Sequence, residues 1–307
     1  MTGGFEGPFD YCICGLALRS QIALPAFAQC RSAESPSAVL RLAPVPLALE
    51  DPDASGPTWQ CTADRFLLDI PRIARVLMTA GREILVEPYA GSGATDVALF
   101  AGASAVPILL QQQGALVLRA SAVRVAGKAV LFAGASGAGK SVLAAALSQR
   151  GYSVLADDFC VLGEDGLIHP DGGRLKLWQQ AIGRLDLAAR RGAPLRTGLQ
   201  KYHIEPATLC DPLPLAAIYH CREARAPHAP GISRIEAAQA PLALQRMATH
   251  PLLIAPLGQT GRYDCAAAAL HTRLFHLTRR LDFALVDEVA AWLAQHWREI
   301  GLDERAP

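Results

Sequence analysis

The sequence predicts an α/β fold organised around one loop. Three observations carry that prediction. Residues 129–133 (AVLFA) form a short apolar run suited to a buried strand, and a glycine-rich loop follows directly. Residues 142–149 (VLAAALSQ) then read as a helix, with Gly151 as its stop. Residues 152–156 (YSVLA) make a second apolar strand, which ends in Asp157 and Asp158. Strand, loop, helix and strand in succession give the α/β pattern.

The loop reads Gly134-Ala135-Ser136-Gly137-Ala138-Gly139-Lys140-Ser141, which fits G-x-x-x-x-G-K-[ST] at every fixed position. Glycines let the backbone turn tightly, so that successive N–H groups face phosphate oxygens. The helix N-terminus adds a favourable dipole. Lys140 supplies a point charge for the β- and γ-phosphates, and the Ser141 hydroxyl can ligate Mg²⁺. The expected ligands are therefore ATP and Mg²⁺. A chance Gly/Ala/Ser-rich turn is the plainer alternative, and the strand–loop–helix context argues against it.

The aspartates supply the second half of the expected site. A strand that follows the loop helix directly should lie near the loop strand, with its C-terminal end at the same edge. That places two carboxylates beside the phosphates. Asp157 is assigned to Mg²⁺, directly or through water. Asp158 is assigned to accept the proton of an attacking hydroxyl. The alternative is an Asp-Asp turn that caps a strand.

The strings VLFAGASGAGKS and GYSVLADDFCVL, one short helix apart, resemble the C-terminal kinase domain of bacterial HPr kinase/phosphorylase and its relatives. That family sets its aspartate pair one helix after the phosphate loop, whereas most P-loop NTPases place the Mg-binding aspartate much farther on. The likeness is clearest over about residues 116–165 and extends more weakly to about residue 297. Leu175-Lys176-Leu177-Trp178, Lys201-Tyr202 and residues 212–219 resemble the divergent HPr-kinase-like serine kinases, including those beside lasso-peptide clusters. The resemblance implies a P-loop kinase core of HPr-kinase type and a serine acceptor in a small protein or peptide. The C-terminal serine of a lasso-peptide precursor is the specific acceptor it suggests. It also makes Lys201 a candidate phosphate or substrate contact, with a solvated basic loop as the alternative, and it leaves a homo-oligomer open. Lys176, one of two cations beside Trp178, is a candidate contact for phosphate or an acidic substrate.

One position departs from the family. A histidine that assists catalysis stands shortly before the loop strand there, and Arg119 occupies that place here. Arginine is never a base at ordinary pH, although it can neutralise phosphate charge in a transition state. A solvent-facing strand residue is the alternative for Arg119. The substitution argues against reverse phosphorylase activity. It also keeps open a nucleotide-binding ATPase or switch that transfers nothing. A small-molecule kinase is the other alternative.

The rest of the chain divides into an N-terminal α+β module, residues 1–115, and a catalytic domain, residues 116–307. In the module, residues 11–18, 38–42, 66–70 and 84–86 read as strands, 50–57 as a loop and 81–82 as a turn. Residues 96–113 read as a helix broken or kinked at Pro107. Beyond it, 116–125 and 129–133 are expected to form one hairpin through 126–128. His169 is a candidate to reach the site, with a surface position as the plainer reading. Trp178 is expected in the core. A helix is expected over 181–191, then a basic loop through Lys201. Residues 215–221 read as a strand and 241–250, 264–271 and 283–298 as helices. Arg262, Arg273, Arg279 and Arg280 are available cations among which the sequence does not choose.

Composition sets the limits. The chain has 307 residues, 51% hydrophobic and 19% charged, which indicates a well-cored globular protein. A net charge of +1 gives no reason to expect a nucleic-acid or anionic-membrane partner. No apolar run is read as a membrane span, and no secretory signal is read at the start, so the expected location is cytoplasmic. The eight cysteines include no C-x-x-C pair and are expected to be reduced, mostly buried thiols. Cys12 and Cys14 are expected on one face of a strand.

Overall fold

The computed structural model describes residues 7–30, 35–171, 174–196, 198–205 and 211–302. The chain is mixed α/β, with three sheets among the described residues. The first sheet holds β1 (Phe9–Ile13), β2 (Leu16–Ser20), β3 (Ala38–Leu42), β4 (Ala54–Gly56), β5 (Trp59–Cys61), β6 (Arg65–Ile70), β7 (Ala74–Thr79) and β8 (Glu83–Pro88). Its spatial order is β1-β2-β3-β8-β7-β6-β5-β4, with β3 parallel to both β2 and β8. The expected strand over 11–18 is in fact a hairpin. Cys14 (φ 51°) and Gly15 (φ 84°) turn the chain there, so Cys12 is exposed on β1 while Cys14 is buried in the turn. The expected loop over 50–57 contains β4, which pairs with β5.

A helical stretch packs on this sheet: α1 (Ala94–Phe100), one π turn (Ala101–Ala105), then α2 (Val106–Gln112). It does not break at Pro107. Proline has no N–H to donate and its ring crowds the preceding turn, and the wider π turn just before it absorbs that constraint. This stretch corrects the reading that no run is span-like. It is long and apolar enough to cross a membrane, yet 61% of its most apolar window is buried inside the protein. Val97, Val106 and Leu109 sit in the core with Tyr11, Val76 and Ile84. The same cluster continues into Val117, Phe159 and Val161 of the following region.

The second sheet positions the loop. Its strands are β9 (Leu116–Leu118), β10 (Ala120–Val125), β11 (Lys128–Ala133), then, after α3 (Lys140–Ser148), β12 (Val154–Ala156), β13 (Cys160–Leu162) and β14 (Leu167–His169). The expected single strand over 116–125 is interrupted at Arg119. β9 pairs with β13, whereas β10 pairs with β11 and β12. Since β10 is antiparallel to both neighbours, β12 runs the same way as β11, and its aspartates emerge at the loop's edge.

A third, antiparallel sheet is built from β15 (Leu175–Trp178), β16 (Arg191–Pro194) and β17 (Lys201–Ile204). Between β15 and β16 lies α4 (Gln179–Arg184), shorter than the expected helix over 181–191. Lys201 lies on a strand, not in a loop, and pairs in register with Trp178. The second sheet is completed by β18 (Leu213–Glu223), β19 (Gly231–Arg234) and β20 (Leu274–Arg279), and the chain by α5 (Ala240–Met247), α6 (Thr260–Leu270) and α7 (Val286–Glu299). Strands β11, β18 and β20 are parallel neighbours.

Alternation along β11 explains the layering, because successive side chains point to opposite faces of a sheet. Val130 and Phe132 pack with Leu143 and Leu147 of α3 and with Leu293 and Trp297 of α7. Ala129, Leu131 and Ala133 pack on the other face with Leu244 and Met247 of α5 and Tyr263 of α6. Helices on both faces force a nearly unbroken apolar β11, and the loop at its end is one of the few polar exits.

Candidate active site

The loop leaves β11 through Gly134 and enters α3 at Gly139, which has φ 74° and precedes the first helical residue. Two glycines are there for space. A Cβ at Gly134 would stand 2.8 Å from the Cys221 carbonyl oxygen, and one at Gly139 would stand 2.4 Å from the Arg279 guanidinium. Among the described residues, the amides of Ser136, Gly137 and Gly139 donate to no backbone carbonyl outside the helix. Ala135, Ser136 and Gly137 are exposed. Unpaired N–H groups at a helix N-terminus form a cradle suited to an anion.

Lys140 is buried at the start of α3, and its Nζ donates to the Ala135 carbonyl at 2.8 Å. Burial lowers its pKa. Ser141 Oγ donates to Asp157 Oδ1 at 2.8 Å. The same carboxylate oxygen accepts from Ser121 Oγ at 2.5 Å, and Asp157 Oδ2 accepts from the Lys176 amide at 2.9 Å. The Asp157 amide in turn donates to Asp171 Oδ2 at 3.1 Å. Asp157 is therefore fixed on every side. Its burial and the neighbouring Asp158 charge raise its pKa, while the two hydroxyls and the Lys176 charge favour the ionised form.

Asp158 adopts φ 77°, a left-handed conformation unusual for a residue other than glycine. Backbone strain of this kind is found at functional sites. Asp158 Oδ2 pairs with Lys176 Nζ. Burial opposes its ionisation, but Lys176, Lys201 and Lys140 together outweigh that and hold the carboxyl at about 2. Lys176 itself is only 4% exposed, and Asp158 is the partner that compensates its charge.

These groups face one cavity of about 410 Å³, within the range of small-molecule sites. Of the residues singled out in the sequence, Ser136, Gly137, Gly139, Lys140, Ser141, Asp158, Arg119, Lys176 and Lys201 line it. Asp157 lies behind the wall, bonded to Ser141. Arg119 sits at the junction of β9 and β10. Its guanidinium donates to the Thr249 carbonyl at 3.2 Å, so it is tethered, and the residue is half-buried. The residues present fit a Mg²⁺ ion held by Ser141 and Asp157. The described residues contain no cluster of three or more His, Cys, Asp or Glu, but Mg²⁺ takes only one or two carboxylates and completes its shell with phosphates and water.

His169, a candidate for the site with a surface position as the plainer reading, lies elsewhere, in a larger cavity of about 710 Å³, where its Nε2 is 3.1 Å from an Asp165 oxygen. One sequence expectation fails here. Trp178 is not core. It is 53% exposed at the rim of the loop cavity, because it follows three buried residues at the end of an edge strand.

The structure also adds residues the sequence did not single out. Ser121 shares the Asp157 oxygen with Ser141. Its place two residues after Arg119 on a strand next to β12 was the available signal. Arg279 is buried and donates to the carbonyls of Ala138 at 3.0 Å and Gly139 at 3.1 Å, bracing the loop from beneath. Thr249 and His250 arrive from beyond α5 and line the same cavity. Thr249 Oγ1 and His250 Nε2 are buried without a hydrogen-bond partner among the described residues. Burial first, then the Arg119 charge, push the His250 imidazole down to about 4, so it is neutral at pH 7. Asp171, Thr249 and His250 carried no local signal, since only long-range packing brings them to the loop.

Scans against protein-family models and against curated proteins find no match to this chain.

Proposed function

We propose that the chain is an ATP-dependent serine kinase of the HPr-kinase-like type. The observation that supports this best is the bond from Ser141 Oγ to Asp157 Oδ1, with Lys140 and Asp158 opening on the same cavity. A P-loop serine and a carboxylate from the strand after the loop helix form one small polar centre there. A Mg²⁺ ion bound to that pair would neutralise charge on the β- and γ-phosphates. In this reading the loop amides and Lys140 hold the phosphates. Arg119 and Lys201 add positive charge where the transferred phosphoryl group gains negative charge.

Asp158 takes the proton of the acceptor serine as its oxygen bonds to the γ-phosphorus and the β–γ bridging P–O bond breaks, releasing ADP. A carboxyl held at about 2 is a weak base. It suffices if the proton leaves late, after most of the P–O bond has broken, as a loose transition state allows. Departure of Lys176 from its pair toward the phosphate would raise the Asp158 pKa at that moment. The acceptor is a serine of a small protein or peptide, and the sequence resemblance makes a lasso-peptide precursor the leading candidate. Cytoplasmic location and self-association belong to the same proposal.

The Asp158–Lys176 pair also favours a second reading, in which the nucleotide acts as a switch and the carboxylate never leaves its lysine. Intact mass spectrometry separates the two. Short peptides encoded beside the gene are incubated with the protein and Mg-ATP. A phosphate-sized gain on a serine, absent with Asp158→Asn, supports the kinase. ATP binding with no gain on any peptide or metabolite supports the switch.

A further inference from the structure

The loop strand β11 lies between β10 and β18. On the β10 side, β12 delivers Asp157 and Asp158. On the β18 side, β20 delivers Arg279 and the turn after it. The loop therefore has two flanks, each with its own hollow. The β10 flank is the charged cavity already described. The β18 flank carries a smaller hollow of about 170 Å³, lined by Val142, Leu281, Phe283 and Val286, with Arg279 and Asp282 as its polar side chains. The two hollows share Gly137, Gly139 and Val142, so they are joined over the loop itself.

We propose that this second hollow receives the nucleoside end of the nucleotide, its base lying against Leu281 and Phe283. The proposal rests on the loop holding a nucleoside triphosphate. A phosphate chain lying over the loop must place its γ-end beside Ser141 and the aspartates. Its other end then has to leave over Val142, the residue after Ser141, toward the β18 flank. What it meets there suits a flat, weakly polar ring. Leu281 is 45% exposed at the edge of the hollow, and its Cδ2 lies 3.6 Å from where a Gly139 Cβ would be. Phe283 is half-buried, anchored on the core by one side. Arg279 donates to the loop carbonyls through its Nη2, and the side chains around it in the hollow are mostly apolar. Asp282, held by its Oδ1 to the Ala284 amide at 2.9 Å, stands at the rim as an acceptor for ribose hydroxyls. Aromatic and aliphatic contacts of this kind tolerate any base, because every base has a π face.

Inorganic tripolyphosphate is the discriminating probe, since it carries the phosphates without the nucleoside. Dissociation constants of Mg-ATP and Mg-tripolyphosphate are measured by calorimetry on the full chain and on Leu281→Ala and Phe283→Leu. Leu281 is exposed, so its variant tests the contact without threatening the fold. The expected result is wild-type preference for ATP of at least tenfold, shrinking severalfold in each variant while tripolyphosphate binds as before. A preference unchanged in both variants, or tripolyphosphate bound as tightly as ATP by the wild type, overturns the subsite and leaves the loop assignment standing. Binding of neither ligand by the wild type removes both.

Discussion

Buried charge is distributed unevenly between the two regions of the chain. Before residue 116 the fully buried polar side chains among the described residues are Ser20 and Gln111, neither of them charged. After it come Lys140, Asp157, Asp171, Lys176 and Arg279, all charged and all buried. Each of these costs several kcal/mol in lost hydration unless it is paired or hydrogen-bonded. The N-terminal region shows that this sequence can build a core of apolar side chains. That the second region does otherwise, around the loop, makes the loop cavity the candidate functional site. The Arg41–Glu83 pair of the first sheet lies on its surface, whereas Lys176 is buried where it meets the half-buried Asp158.

Several substitutions test that contrast. The largest effect is expected from Lys140→Ala, which removes the one ammonium placed on the loop. Phosphoryl transfer should fall by on the order of 10²–10³, the usual loss when a charge-stabilising group is deleted. Unchanged kinetics and unchanged Mg-ATP affinity would remove the loop from the site. Asp158→Asn should abolish transfer to a similar degree while ATP still binds. It also leaves Lys176 buried beside a neutral amide, so chemical denaturation should show a loss approaching ~3 kcal/mol. Asp158→Asn combined with Lys176→Met should recover stability but not transfer. Recovery of transfer would show that Asp158 is structural.

Core truncation in the other region should behave in the opposite way. Met78 is fully buried in the first sheet, and Met78→Ala should destabilise by about 2–5 kcal/mol. ATP affinity at temperatures where the variant stays folded should not change. A change in affinity would make the first region part of the binding machinery, and its Ala103 and Ser104, which reach the cavity wall, would be the place to look.

A smaller effect is expected from pH. His203 and His250 are both pushed to about 4, in each case first by burial. The unfolded chain binds their protons near 6.5 and the folded chain does not. Stability should therefore fall as pH drops from about 6.5 toward 4 and level off below that. Asp158, at about 2, works in a separate window. The stability it contributes is full above about 4 and is lost as pH falls toward 2. Melting temperatures across pH 3–7 for the wild type and His250→Asn would show it, and identical profiles would place His250 in solvent. The smallest effect belongs to Arg41→Ala, which removes an exposed ion pair and should cost less than ~1 kcal/mol.

Local pattern carried much of this molecule. The strand before the loop, the loop, its helix and the strand ending in Asp157 stand where the residue pattern put them, since glycine placement, apolar runs and helix stops act over a few residues. Strand β3 and the turn at Gly81 were equally legible for that reason. The sequence misplaced elements wherever a neighbour distant in the chain decided the outcome. Residues 116–125 read as one strand, but β9 joins β13 and β10 joins β11, and the break falls at Arg119. Lys201 read as a loop residue until pairing with β15 made it a strand.

The candidate site divides along the same line. Sequence alone determined which residues form the loop and that two carboxylates follow it, because those depend on spacing along one strand–loop–helix–strand unit. Tertiary structure decided what each aspartate does. Asp157 turns to the two hydroxyls and Asp158 to Lys176, a partner eighteen residues away along the chain. It also decided that Arg279 braces the loop and that Thr249 and His250 close the cavity near Arg119. No local rule links positions 119, 157, 250 and 279. They meet because helices cover both faces of a mixed sheet whose central strands β11, β18 and β20 run parallel, and these polar groups gather near the edge where the loop leaves β11.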